Sequence, residues 1–146
     1  MSANSRAGGI APPRFHVSVH LLLCLARTEE ICSSAEMAAQ VQSHATFLRR
    51  VLAPLVRAGI VDAREGRVGG YRLARSADRI TLGEVYSALR AAAVQATEGT
   101  GCEPGCGAAA EILDRVLDEI LKEAEDRVVA LLSRYTIADL ARRVER

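Results

Sequence analysis

Four cysteines, three histidines and a cluster of arginines are the side chains of this sequence with chemistry to offer. Cys102 and Cys106 stand four apart in Cys-Glu-Pro-Gly-Cys, just ahead of a long apolar-periodic segment. At the N-terminus of a helix, unpaired N–H groups and the helix dipole give a thiol such as Cys106 thiolate character. Cys102 could then resolve an oxidised Cys106 as a disulfide, which makes the pair a thiol switch. A second reading adds His16 and His20, four apart and so on one side of a helix. Two Cys and two His suit zinc or a mixed-ligand 2Fe–2S cluster. A third reading leaves the loop inert. The expectation is of no resident cofactor, with the cluster or zinc as the alternative. Cys24 falls on an apolar helical face as a small core residue, and Cys32 precedes a helix cap at a position that favours burial. His20 reads equally well as a core histidine.

The arginines suggest a different chemistry. Residues 1–92 carry 12 Arg against seven acids, whereas residues 93–146 carry seven bases against 11 acids. The first part could meet a polyanion and the second would be repelled by one. Between Ser33 and Arg75 there are seven Arg and three acids. In a helix carrying Phe47, Leu48, Val51, Leu52 and Leu55 on its buried side, Ser43, His44, Thr46, Arg49 and Arg50 fall opposite. Those are groove-entering and phosphate-seeking side chains. Arg64, Arg67 and Arg72 follow on a glycine-rich hairpin whose backbone could approach a ligand closely. These eight residues are the candidate contacts to double-stranded DNA.

The elements that must position them are legible from periodicity and caps. Arg14–Arg27 spaces Val17, Leu21, Cys24 and Leu25 as helix one. Ser33-Ser-Ala-Glu36 predicts a capping box ahead of a short second helix over 34–41. Ser43 is the expected cap of the third helix, which Pro54 should bend and Ala58-Gly59 should end. Extended runs at 60–64 and 70–74 flank the tip Glu65-Gly-Arg-Val-Gly-Gly70 as a hairpin. Thr81 should cap a fourth helix over 82–90, followed by a small-residue loop. From 106 or 107 to 135 one helix of about 40 Å is expected. Its stripe Leu113, Leu117, Ile120, Ala124, Val128 and Leu131 is too apolar and too long for so small a domain to bury, which predicts a homodimer. A last helix starts at Thr136.

These elements make a mainly α chain: a winged helix-turn-helix with a small β-hairpin wing and a long C-terminal dimerisation helix. The expected organisation is a flexible arm over 1–13, the DNA-binding domain over 14–90, a sensing loop over 91–105 and dimerisation helices over 106–146. The arm is polar and lacks the apolar core of a signal peptide. The apolar run 17–26 is about half the length of a membrane span. A cytoplasmic protein with no membrane partner is therefore expected, and its cysteines are not a disulfide framework. Enzyme signatures fail on inspection. Gly66-x-x-Gly69-Gly70 is followed by no helix and so cannot cradle phosphate. No nucleophile elbow or His-Glu metal motif is present. A redox or metal adaptor that binds no DNA remains the alternative class.

One resemblance is specific. Ser33-Ser-Ala-Glu-Met-Ala, Phe47-Leu-Arg-Arg-Val-Leu, Ala58-Gly-Ile-Val, Gly66-Arg-Val-Gly-Gly-Tyr-Arg-Leu-Ala74 and Ile80-Thr-Leu-Gly-Glu-Val85 resemble the Rrf2 family of bacterial winged-helix regulators, over about residues 14–140. The likeness is to the branch without the three-Cys cluster motif, because the loop holds only Cys102 and Cys106. The resemblance implies a transcriptional regulator, most simply a repressor, dimeric through the long helix and bound to an inverted repeat in promoter DNA. It also implies that helix one of one subunit lies near this loop of the other. That is where His16 and His20 could join the two cysteines.

Overall fold

The computed structural model describes residues 10–12, 14–97 and 107–146. Its elements run α1 (Phe15–Ala26), α2 (Ser34–Gln40), α3 (Ala45–Arg57), β1 (Val61–Arg64), β2 (Gly70–Leu73), a 3-10 turn (Ala77–Arg79), α4 (Leu82–Thr97), α5 (Ala108–Leu132) and α6 (Ile137–Val144). The first three helices and the hairpin form the expected winged helix-turn-helix. Most of the arm expected over 1–13, and residues 98–106 with Cys102 and Cys106, lie outside the described residues.

Aliphatic side chains build the core. Leu21, Leu22 and Leu25 of α1 meet Met37 of α2 and Leu48, Val51, Leu52 and Leu55 of α3, with Ile60, Ile80, Val85 and Leu89 closing the cluster. Each such side chain contributes about 1.5–3 kcal/mol by leaving water. On α3 the buried face leaves Arg49, Arg50 and Arg57 outward. Pro54 removes the hydrogen bond to the Arg50 carbonyl, yet the helix continues to Arg57. Arg50 is exposed, so water can take that carbonyl.

Three helices begin on reciprocal caps. The Ser33 hydroxyl accepts from the Glu36 N–H at 3.2 Å, and the Glu36 carboxylate accepts from the Ser33 N–H at 2.8 Å. Thr81 with Glu84 starts α4 in the same way, as Thr136 with Asp139 starts α6. The third helix departs from expectation. Its N-cap is His44, without a side-chain cap bond, and Ser43 stands one residue earlier with its N–H on the Ala38 carbonyl at 2.9 Å.

The fourth helix also runs seven residues past its expected end at Arg90, to Thr97. Ala91–Ala93 continue it because alanine is the strongest helix former, not a loop signal. The helix packs along the C-terminal half of α5. At Gly83 an added Cβ would stand 2.0 Å from the Ser133 hydroxyl and 2.8 Å from the Val129 carbonyl, so only glycine allows that approach. Farther along α4, Arg90 pairs with Glu125 at 3.3 Å. In turn α6 folds back on α1 and the 3-10 turn. Ile137 is fully buried, and its N–H donates to the Ile80 carbonyl at 2.9 Å.

The hairpin pairs Val61 with Leu73 and Arg64 with Gly70. Gly66 turns its tip at φ 110°, and the Gly69 N–H closes the turn on the Gly66 carbonyl at 3.1 Å. A bridge absent from the sequence reading adds a third extended segment. Cys32 and Tyr71 exchange backbone hydrogen bonds of 2.9 and 2.8 Å.

Candidate nucleic-acid interface

The helix-turn-helix and the wing meet at a cleft of about 500 Å³ lined by Ser34, Arg49, Ala63, Arg64, Glu65, Gly66, Gly69, Gly70 and Tyr71. The α2 start, the outward face of α3 and the hairpin all contribute to it. Two of its lining residues, Gly70 and Tyr71, adjoin the Cys32–Tyr71 bridge. A Cβ on Gly70 would lie 2.1 Å from the Cys32 carbonyl oxygen, so glycine there lets the wing close against the segment leading into α2.

The structure brings Arg49 and Arg64 to this one cleft. His44, Thr46 and Arg50 are exposed on the outer side of α3's first turns, and Ser43 just before them is half-buried. Arg67 and Val68 are exposed at the wing tip. Arg72 is held elsewhere. It reaches across the hairpin to Asp62 at 3.5 Å, its cross-strand neighbour, in an exposed pair. Ser34 and Tyr71 line the cleft without having been singled out from the sequence; Ser34 reads there only as part of a cap. Arg14 is a further addition, because its guanidinium carbon lies 5.6 Å from the centroid of the Phe47 ring on α3.

Of the candidate metal and redox residues, only His16 and His20 lie within the described residues. His16 and His20 are both exposed on α1, so His20 is not a core histidine. Cys24 and Cys32 are half-buried and free. Burial pushes the Cys24 thiol up, against a smaller opposing effect of Arg27. Burial also raises the Cys32 thiol, aided by Glu36, Cys24 and Glu30. Neither is poised as a thiolate at neutral pH. Among the described residues no group of three or more His, Cys, Asp or Glu side chains could hold a metal ion. A cluster or zinc site therefore does not fit the described part of one chain.

The candidate dimer residues keep to one side of α5. Leu113, Leu117, Ile120, Ala124 and Leu131 are exposed and Val128 is half-buried. No residue of α5 is buried. Among the described residues no helix is long and apolar enough to cross a membrane.

Comparison with known proteins agrees with this architecture. The family model Rrf2, described as an iron-dependent transcriptional regulator, matches residues 12–143. The protein aau3 of Rhizobium meliloti is 34% identical over 84% of this chain and 77% of its own length. The HTH-type transcriptional regulator IscR of Cereibacter sphaeroides is 32% identical over 60% of this chain and 56% of its own. The solved structure of T. potens IscR superposes with a TM-score of 0.61 at 21% identity, covering 96% of this chain and 91% of that one, a likeness of fold. With a family match across nearly its whole length and a reading head to go with it, this chain belongs to the Rrf2 family as a DNA-binding transcriptional regulator and not an enzyme.

Proposed function

We propose that the chain is a homodimeric repressor that reads an inverted repeat in promoter DNA. The N-terminal half of α3 enters the major groove, where Ser43, His44, Thr46, Arg49 and Arg50 meet base edges and phosphates. Arg64 and Arg67 of the wing contact the backbone or the minor groove alongside. Arg72 exchanges its exposed partner Asp62 for a phosphate, which is inexpensive because a surface pair is worth little. The observation that supports this reading best is the shared cleft, where Arg49 of α3 and Arg64 of the wing stand together. Two positive elements converging on one concavity suit a polyanion that passes between them.

The test is selection of duplexes from a randomised pool, followed by binding measurements across salt concentrations. A palindromic site with half-sites about one helical turn apart, bound with steep salt dependence, is the expected result. Failure to enrich any sequence, with no salt-dependent binding to DNA, overturns the proposal.

The signal belongs to the same proposal but rests on the sequence. Peroxide would oxidise the Cys106 thiolate to a sulfenic acid, and the Cys102 thiol would displace water to form the disulfide. DNA binding by Cys102→Ser and Cys106→Ser, with and without peroxide, tests it. Equal binding by parent and both variants under every condition means that the loop carries no signal.

A further inference from the structure

We infer that Arg14 is a phosphate clamp, held beside the recognition helix by its stack on Phe47 and closing on the DNA backbone next to the groove that α3 enters. The inference rests on the DNA-reading role proposed above and adds a contact from the start of α1 to those of α3 and the wing. Arg14 is the N-cap of α1, exposed, with a left-handed backbone at φ 68°. Its guanidinium carbon stands 5.6 Å from the centroid of Phe47, within cation–π range. Phe47 is half-buried and packed against the core, so the ring that receives the guanidinium is itself fixed. It lies in the first turn of α3, between the outward residues Thr46 and Arg49. Arg14 is thereby tied to the part of α3 that must approach DNA, although 33 positions separate it from Phe47 in sequence.

The chemistry favours a phosphate as its ligand. A guanidinium held over a ring at cation–π distance spends no N–H donor in that contact, so its fork remains to match two phosphate oxygens. Arg14 has no ion-pair partner among the described residues, unlike Arg72, Arg75, Arg90, Arg127 and Arg142. Its charge is oriented but not neutralised. The first turn of α1 also lacks a side-chain cap, so the positive end of that helix adds to the same field.

The experiment compares the full chain with Arg14→Gln and Arg14→Lys. Binding is measured to the duplex selected above and to a scrambled duplex of the same composition, from 50 to 200 mM salt. One phosphate contact contributes about 0.9 to the slope of log K against log salt. Arg14→Gln removes one contact from each subunit of the dimer, so it should lower that slope by about 1.8 and weaken both duplexes by one common factor, roughly twelvefold greater at 50 mM than at 200 mM salt. Arg14→Lys keeps the charge and so most of the slope, but loses the planar stack and part of the affinity. An unchanged slope in Arg14→Gln overturns the clamp even if affinity and thermal stability fall, because that pattern belongs to a purely structural stack. A loss confined to the selected duplex also overturns it, since Arg14 would then be reading bases. If the parent binds neither duplex, the DNA-reading proposal itself fails, and with it the clamp.

Discussion

Arg50 and Arg67 carry the same charge on different elements, so their losses should differ in kind. Arg50 projects from the outward side of α3, where a guanidinium can fork to guanine O6 and N7. Arg50→Ala should cost roughly 1–3 kcal/mol of discrimination between the selected site and a mismatched one. Arg67 stands at an exposed wing tip, for which the proposed contact is the backbone or the minor groove. Arg67→Ala should weaken all duplexes alike and flatten the salt slope by about two, one for each subunit of the dimer. Unchanged binding in both variants would sink the recognition model. The outward placement of these residues was legible in the sequence because helical period alone decides it. Arg14 was not, because its partner lies on another helix and no local pattern links them. The partial burial of Cys24 was half-legible: its apolar face was evident, but not that the face stays partly open.

At the scale of elements, the wing depends on one missing side chain. Gly70→Ala would press a Cβ to 2.1 Å from the Cys32 carbonyl, so the Cys32–Tyr71 bridge must open. Chemical denaturation should show a loss of roughly 1–3 kcal/mol, and DNA affinity should fall with it. Stability equal to the parent would mean that the bridge contributes nothing. The hairpin itself was readable from its glycine-rich tip, but the bridge was not, since a single paired residue has no alternation to reveal it. Caps were the most readable feature, and they carry a pH dependence. The Glu36 carboxyl is held low by the Ser33 N–H and hydroxyl, and the Asp139 carboxyl by the Thr136 N–H, Arg142 and the Thr136 hydroxyl. Glu84 is raised by burial, but its bonds to Thr81 and its pairing with Arg75 outweigh that and lower it overall. A depressed carboxylate contributes stability that is fully present above its unfolded value and lost as pH falls through its folded value. Thermal stability should therefore fall as pH drops below about 4.5, the ordinary glutamate value. Glu84→Gln should flatten that acid limb. An acid limb identical to the parent's would show that the Thr81–Glu84 cap is not part of it.

For the molecule as a whole, the decisive feature is a long helix whose N-terminal half leaves its large apolar side chains exposed among the described residues. Through Gly83 and Arg90, α4 engages the C-terminal part of α5, near Glu125, Val129 and Ser133. Toward the other end Ile112, Leu113, Val116, Leu117, Ile120 and Leu121 remain between 44% and 64% exposed. A run of large aliphatic side chains of this extent marks an interaction surface. Leu113, Leu117, Ile120 and Ala124 recur at three- and four-residue steps, the spacing of a seam between two helices. Acidic residues Asp114, Asp118, Glu119 and Glu123 interleave with that stripe, so DNA is a poor occupant and a second copy of the same helix a good one. Ile120 is the position to test. It lies midway along the stripe and 57% exposed, so substituting it leaves the core of the head untouched, whereas Val128 is already half-buried within its own chain. Ile120→Asp would place a carboxylate, and its mirror copy, in the middle of an apolar seam. Sedimentation should then show a monomer, or aggregates, with the circular dichroism of a folded head retained. Affinity for a palindromic duplex should fall towards that for a single half-site, since the second reading head would no longer be delivered at high effective concentration. A folded dimer like the parent's would place the interface elsewhere, and the exposed stripe of α5 would need another partner.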